Sequence, residues 1–395
     1  MAGKNDITPD IITAISGQFP IQQGVAYLNH AAVAPWPQCT ADAVCDFARE
    51  NARCGALHYK AWEETAGALR ELLRRLINAE SADEIALVKN TSEGLSLVAY
   101  GLDWQPGDNV VVGMQEFPSN RIVWESLARR FGVEVRTVDL HAADTPEQAL
   151  IGRLDRRTRV LAVSSIQYAT GHRMNLDDLG KACREAGALL CVDAIQSLGA
   201  APVDVRASQI DFLAADGHKW MLAPEGAGCF YCRRRHLKTL KLHQYGWGML
   251  QHPGDYDSLY GEAAPAAWDE AENARRFECG SLNSLGIHAL HASLGLLFDA
   301  GLARVFSGVA SNVSYLADNM DAGRFQLLTP AEEHRRGGIL TVRPLRGEPE
   351  ALHRRLLKVD VLCACRGGGI RLSPHFYTPR AVLDRALECL RDFSG

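Results

Sequence analysis

Short apolar runs, each ending in polar or small residues and followed by a stretch of helical periodicity, dominate the middle of this chain. Ile85-Ala86-Leu87-Val88 leads to Asn90-Thr91-Ser92, and Asn109-Val110-Val111-Val112 leads to Glu116-Phe117-Pro118. Val160 to Ser165 runs into Gln167-Tyr168, Ala188 to Val192 ends at Asp193, and Ile210 to Ala214 delivers Asp216-Gly217-His218-Lys219. Runs this short and this apolar fit strands covered on both faces, and the helices between them fit the crossovers that parallel strands require. The pattern predicts an α/β fold around a mainly parallel sheet. In such sheets ligands collect beyond the carboxyl ends of the strands. Thr91, Ser92, Phe117, Gln167, Asp193 and Lys219 all follow strand ends, so they are expected to converge on one site.

The flanks have a different character. Helical periodicity covers Thr40 to Glu50, Ala61 to Asn78, Leu176 to Ala186 and Leu285 to Phe298, and the Gly- and Pro-rich Gly246 to Asn273 reads as a long loop. Helices near Val305 to Met320 and Glu350 to Leu357, strands near Ile339 to Arg343 and Ile370 to Ser373, and a last helix from Pro379 predict an α+β unit. The 395 residues suffice for two to three domain-sized units. A formal charge of −5 supplies no basic stripe for nucleic acid. No run approaches the ~18 apolar residues of a membrane span. Met1 to Pro20 is polar and carries acidic residues, unlike a secretory or transit peptide, so a cytoplasmic location is expected. The eleven cysteines are scattered and read as reduced thiols, mostly packed as small hydrophobes. Cys229-Phe230-Tyr231-Cys232 has the spacing of half a zinc site, but with no second pair at a matching distance it reads as a buried strand, and no metal is expected.

Single residues leave alternatives open. A lysine among apolar neighbours is costly to bury as a cation, so Lys219 either snorkels to water or forms a Schiff base with an aldehyde. Thr91 and Ser92 at a helix start are an anion site or a simple N-cap. Phe117 is a core ring or a stacking surface, and Arg371 a surface arginine on an edge strand or a carboxylate clamp.

Taken together, Asp193-x-x-Gln196 and His218-Lys219, 26 residues on from Asp193, resemble the signature of the class V aminotransferase group of pyridoxal-phosphate enzymes. That group also contains cysteine desulfurases, kynureninases and isopenicillin N epimerases. The resemblance extends to Tyr27-Leu28-Asn29-His30-Ala31-Ala32, Arg276-Phe277-Glu278-x-Gly280-Ser281 and Arg371-Leu372-Ser373-Pro374. It implies an aspartate-aminotransferase-like fold: a large domain over 26–289 with a mostly parallel seven-stranded sheet, and a small domain from 1–25 and 290–395. It implies that Lys219 forms the Schiff base with the cofactor and then moves the substrate Cα proton. Asp193 would stabilise the protonated pyridine nitrogen, and Gln196 would reach the phenolic oxygen. Thr91, Ser92 and His218 would hold the phosphate, Phe117 would stack on the ring, and Gln167 would help hold it. Trp247 would approach the phosphate, and Ser281 would reach the phosphate of a second subunit, which implies a homodimer with shared sites. Arg371 would clamp the substrate carboxylate, with Arg366, Asn29 and His58 as further substrate contacts.

The chain departs from this pattern twice. Asp216 stands where desulfurases carry Ser or Thr, and it is expected to point away from the phosphate or to meet a donor. Arg366-Gly367-Gly368-Gly369-Ile370-Arg371 is short and holds no cysteine, where desulfurases carry a nucleophilic one between two arginines. Sulfur transfer through a persulfide is therefore not expected, and the glycine run should be flexible or admit close backbone approach. The implied activity is transamination of an amino acid, with C–S lysis or epimerisation as alternatives and an inactive cofactor-binding regulator last.

Overall fold

Alternation along the central strands sorts their side chains between two apolar layers. Val111, Leu161, Val163, Leu190, Val192, Leu213 and Ala215 pack into one cluster. Their neighbours Val110, Val112, Val160, Ala162, Cys191, Phe212 and Ala214 pack into the other. A strand with apolar residues on both faces must be covered on both. The structure is a computed structural model describing Ile15, residues 17–253 and residues 268–392.

The strands are β1 (Ala26–Tyr27), β2 (Ile85–Val88), β3 (Asn109–Gly113), β4 (Glu134–Val138), β5 (Thr158–Ser164), β6 (Leu189–Asp193), β7 (Phe212–Asp216), β8 (Gly228–Cys232), β9 (Phe325–Leu327), β10 (Leu340–Pro344), β11 (Val361–Leu362), β12 (Ala364–Arg366) and β13 (Gly369–Leu372). Seven of them form one sheet in the order β2-β8-β7-β6-β5-β3-β4. β3 to β7 pair in parallel, and β8 runs antiparallel between β2 and β7. The expected mostly parallel seven-stranded sheet is therefore present, and Cys229 and Cys232 are buried within β8. Five of the cysteines are buried, whereas Cys45 and Cys54 are exposed on helix Gln38–Cys54, short of the mostly packed set expected.

Helices Tyr59–Ile77, Leu176–Ala186 and Ser284–Ala300 cover one face, and Thr91–Gly101 with Ser119–Phe131 covers the other. Helix Ser284–Ala300 runs through the expected domain limit at 289 and buries Leu290, Leu294 and Leu297 against the sheet. Ala26 and Leu28 instead join the C-terminal cluster with Leu340, Leu372 and Leu387, because β1 pairs in parallel with β11. The C-terminal part carries a four-stranded antiparallel sheet, β12-β13-β10-β9, flanked by helices Pro349–Lys358 and Arg380–Arg391. Periodicity misses helix Pro146–Ile151, although its signal is present: the Thr145 hydroxyl caps it and Pro146 occupies its first position. The expected long loop lies partly outside the described residues. Among those described, no single helix is long and apolar enough to cross a membrane.

The glycine run between the two arginines is a hairpin turn rather than a flexible loop. Arg366 pairs with Gly369, leaving Gly367 and Gly368 as a two-residue connection with φ of 59° and 75°. Positive φ at both central positions matches the twist of a hairpin and favours glycine there.

One buried ion pair ties the frame to the loop carrying Ser281. Glu278 accepts from Arg70 Nη2 at 2.7 Å and from the Leu87 backbone N–H at 2.7 Å. Removing one partner of a buried pair leaves the other charge uncompensated. Glu278→Ala is expected to cost about 3–5 kcal/mol in urea unfolding, whereas a loss below about 1 kcal/mol would fit only an exposed pair.

Candidate active site

The C-terminal strand ends share one edge of the sheet, and the loops leaving them line a cavity of about 260 Å³. Its walls include Thr91, Ser92, Phe117, Tyr168, Asp193, Gln196, His218, Lys219, Arg366 and Arg371. Of the residues expected to converge, only Gln167 is set back from this wall.

Lys219 follows β7 through the turn Gly217-His218 and is only 8% exposed. Burial pushes its amine down to about 8, against the attraction of Asp193. Its Nζ stands 5.6 Å from the centre of the Phe117 ring. Phe117 is 41% exposed and meets the Tyr168 ring edge-on at 5.1 Å, so it is a wall of the cavity and not core. An amine attacks an aldehyde only when neutral. The rate at which cofactor-free protein captures pyridoxal phosphate, followed by the growth of visible absorbance, is therefore expected to rise with pH with a midpoint near 8 and then level off. A rate still climbing through pH 10 would mean an ordinary exposed lysine.

Asp193 ends β6 and is 2% exposed. Burial raises its pKa to about 7; the Ile195 N–H, at 3.0 Å from Oδ1, opposes the rise and nearby Glu116 adds to it. A carboxylate this short of donors is one that a protonated ring nitrogen would satisfy. Gln196 is held at both ends of its amide, donating to the Ala31 carbonyl at 3.0 Å and accepting from the Trp220 indole at 2.8 Å. One of its N–H bonds remains uncommitted.

The helix start at Thr91 is capped by neither Thr91 nor Ser92. Asn90 caps it, its side chain accepting from the Glu93 N–H at 2.9 Å. Thr91 Oγ1 accepts from the Asp216 N–H at 3.1 Å, and Ser92 donates to Ser119 Oγ at 2.9 Å. The first N–H groups of a helix have no carbonyl one turn back, which suits a phosphate. Asp216 meets a donor as expected: Oδ1 accepts from the Gly217 N–H at 2.7 Å, while His218 Nδ1 lies 3.0 Å from Oδ2 without a hydrogen bond.

Arg371 lies on β13, an interior strand between β12 and β10, so it is not the edge-strand arginine that sequence alone allows. It is 3% exposed, and burial together with Arg366 lowers its pKa to about 10. One guanidinium nitrogen donates to the Tyr168 carbonyl at 2.8 Å, while its buried Nε has no partner. Arg366 is exposed at the cavity rim and donates to the Cys365 carbonyl at 2.9 Å.

The remaining candidates lie elsewhere. Gln167 is buried and donates to Glu116 at 2.8 Å. Asn29 bridges to Ser373, its side-chain oxygen buried without a partner. His58 lies on the outer surface, 3.5 Å from Glu50. Trp247 lines a separate hollow with Tyr59, Trp62 and Arg70, and Ser281 lines another with Lys89 and Gln244. Within one chain these last three do not reach the cavity.

Two groups behind the cavity escape sequence reasoning. Glu116 is 5% exposed and accepts from Ser164 N and Gln167 at 2.8 Å, from Asn120 at 3.1 Å, and from the Ser164 hydroxyl. It thereby anchors the Phe117 loop to the end of β5. His30 contacts the Ser373 carbonyl through Nδ1 at 2.8 Å and the Tyr377 hydroxyl through Nε2 at 2.7 Å. Because a carbonyl only accepts, Nδ1 carries the proton. Burial lowers the pKa of His30 to about 4 and keeps it neutral.

Comparison with known proteins identifies the family. The family described as Aminotransferase class-V matches residues 26–368. A protein of Methanothermobacter thermautotrophicus named a probable cysteine desulfurase is 34% identical over 291 residues, 72% of this chain and 70% of that one. A cysteine desulfurase of Pectobacterium atrosepticum is 32% identical over 321 residues, 79% of this chain and 76% of that one. Among solved structures, the cystine C–S lyase C-DES in complex with its product cysteine persulfide superposes with a TM-score of 0.86 at 22% identity, covering 96% of this chain and all of that one. Apo cysteine desulfurase from Thermococcus onnurineus superposes at 0.84 with 22% identity, covering 99% of each chain. The chain belongs to the class-V aminotransferase family of pyridoxal-phosphate-dependent enzymes.

Proposed function

We propose that this enzyme removes the Cα proton of an α-amino acid and releases a sulfur substituent from Cβ, acting as a C–S lyase. The observation that carries the reading is the meeting of Lys219, Asp193 and Arg371 in one cavity whose lining, among the described residues, contains no cysteine. Relatives named cysteine desulfurase and a fold neighbour named a cystine C–S lyase support sulfur chemistry. The cysteines near the arginines do not support a persulfide on the protein. Cys363 is buried with its thiol pushed up to about 12, and Cys365 turns its sulfur to Glu350 at 3.8 Å. A thiol so raised holds little thiolate at neutral pH.

Bound in the cavity, pyridoxal phosphate supplies an electron sink for the charge left at Cα. The residues do the rest. Thr91, Ser92 and His218 would hold the phosphate, Asp193 would pair with the ring nitrogen, Gln196 would donate to the phenolic oxygen, and Phe117 would stack on the ring. Arg371 grips the substrate carboxylate and orients Cα–H toward Lys219, whose Nζ takes the proton. Arg366 at the rim attracts a second acidic group. His58, Trp247 and Ser281 act on the site of a second copy, in a homodimer.

Transamination draws on the same residues, so products decide. In a panel of amino acids, cysteine should yield pyruvate and ammonia in equal amounts with sulfide, and cystine the same two products with a persulfide, without an added keto-acid acceptor, while amino acids lacking sulfur on Cβ release neither. Turnover that requires such an acceptor would make the enzyme an aminotransferase, and racemisation alone would make it an epimerase.

A further inference from the structure

Trp220 follows Lys219 directly and is completely buried, yet it lies outside the main core clusters. It sits in a small separate cluster with Ala31, Ala200, Val309 and Ile339. Two glycines make room for it. A Cβ on Gly338 would lie 2.4 Å from the indole ring, and one on Gly199 would lie 2.1 Å from the Trp220 carbonyl oxygen. That carbonyl also accepts from His375 Nε2 at 3.1 Å. Ring and backbone are therefore both fixed, and the one polar atom of the side chain has a fixed place.

The indole N–H can only donate, and it points at Gln196 Oε1 from 2.8 Å. At the far end of the same amide stands the Ala31 carbonyl, which can only accept, 3.0 Å from Nε2. Amide oxygen and nitrogen are ordinarily interchangeable in position. Here a turned-over amide would set donor against donor and acceptor against acceptor, losing both bonds in a buried place. Gln196 is thus locked as a donor, with its second Nε2 hydrogen left for a ligand of the cavity it lines.

We propose that Trp220 is a positioning residue that fixes the Gln196 amide as a donor to the phenolic oxygen of the cofactor, and so favours the ionised form of that oxygen. This inference rests on the reading of the site given above. A hydrogen bond to the charged form lowers a pKa, and an acceptor in the same place raises it. Trp220→Phe keeps an aromatic ring but frees the amide to turn.

The test follows the visible absorbance of cofactor-loaded protein as a function of pH. In Trp220→Phe the midpoint should rise by about one pH unit. In a Gln196→Ala background the same substitution should leave the midpoint where Gln196→Ala alone puts it. An unmoved midpoint in Trp220→Phe, or an equal shift in both backgrounds, would overturn the proposal. Should Trp220→Phe fail to fold, Gln196→Glu serves instead. It keeps the acceptor for the indole but removes the donor, so its midpoint should also rise, and an unmoved one would overturn the proposal. In cofactor-free protein, the Trp220 indole N–H resonance should shift when Gln196→Ala removes its acceptor, and no shift would overturn the contact itself. Protein that develops no visible band on addition of pyridoxal phosphate would instead sink the underlying reading of the site, and the proposal with it.

Discussion

Lys219→Ala is expected to lower kcat/KM by roughly 10³–10⁴-fold or more, while the protein stays folded. The amine is asked to do two things, to hold the cofactor and to move the Cα proton, and nothing else in the cavity can replace it. Arg366 and Arg371 offer only donors, and His218 Nδ1 stands 3.0 Å from Asp216 Oδ2. Burial lowers the amine to about 8, so a fraction of it is already neutral near neutral pH without a neighbouring base. Steady-state kinetics with circular dichroism on the same preparation checks this. A variant with more than about a tenth of the original kcat/KM would remove Lys219 from the proton transfer.

Arg371→Ala is expected to cost roughly 10²–10³-fold in kcat/KM, equivalent to about 3–4 kcal/mol, with most of the change in KM. The guanidinium sits on an interior strand at 3% exposure, so it brings a dehydrated charge to a carboxylate that arrives from water. Arg371→Lys should recover only part of the loss, because an ammonium cannot reproduce the bidentate fork. Comparable kcat/KM in wild type and Arg371→Ala would move carboxylate recognition to Arg366. A fall in kcat at unchanged KM would instead make Arg371 a group that acts only in the transition state.

What sequence reveals here follows from what is local. The run from Phe212 to Lys219 announces its role within eight residues: apolar strand, polar turn, then a lysine where a parallel sheet binds ligands. Asp193 is visible for the same reason, at the end of β6. Glu116 is not, because its four donors come from Asn120, Ser164 and Gln167, which only the pairing of β3 with β5 brings together. Trp220 looks like one more core aromatic until Gly199, Gly338 and Ala31 close around it. The N-cap of helix Thr91–Gly101 belongs to Asn90, one residue before the hydroxyls that attract attention. The hairpin at Gly367-Gly368 was hidden because three consecutive glycines read equally as a mobile loop, and only the pairing of β12 with β13 distinguishes them. Trp247 and Ser281 match the family pattern in sequence and His58 is a further substrate-contact candidate, yet all three lie outside the cavity of a single chain. Light scattering that finds only a monomer in the active protein would contradict the shared sites proposed for them.

Lys219 is the expected point of covalent attachment. Borohydride reduction of the protein loaded with pyridoxal phosphate, followed by peptide mass mapping, tests that directly. The account predicts one pyridoxyl phosphate adduct per chain, on the peptide containing Lys219 and absent from Lys219→Ala. An adduct on another lysine, or none on protein that binds the cofactor, would contradict it.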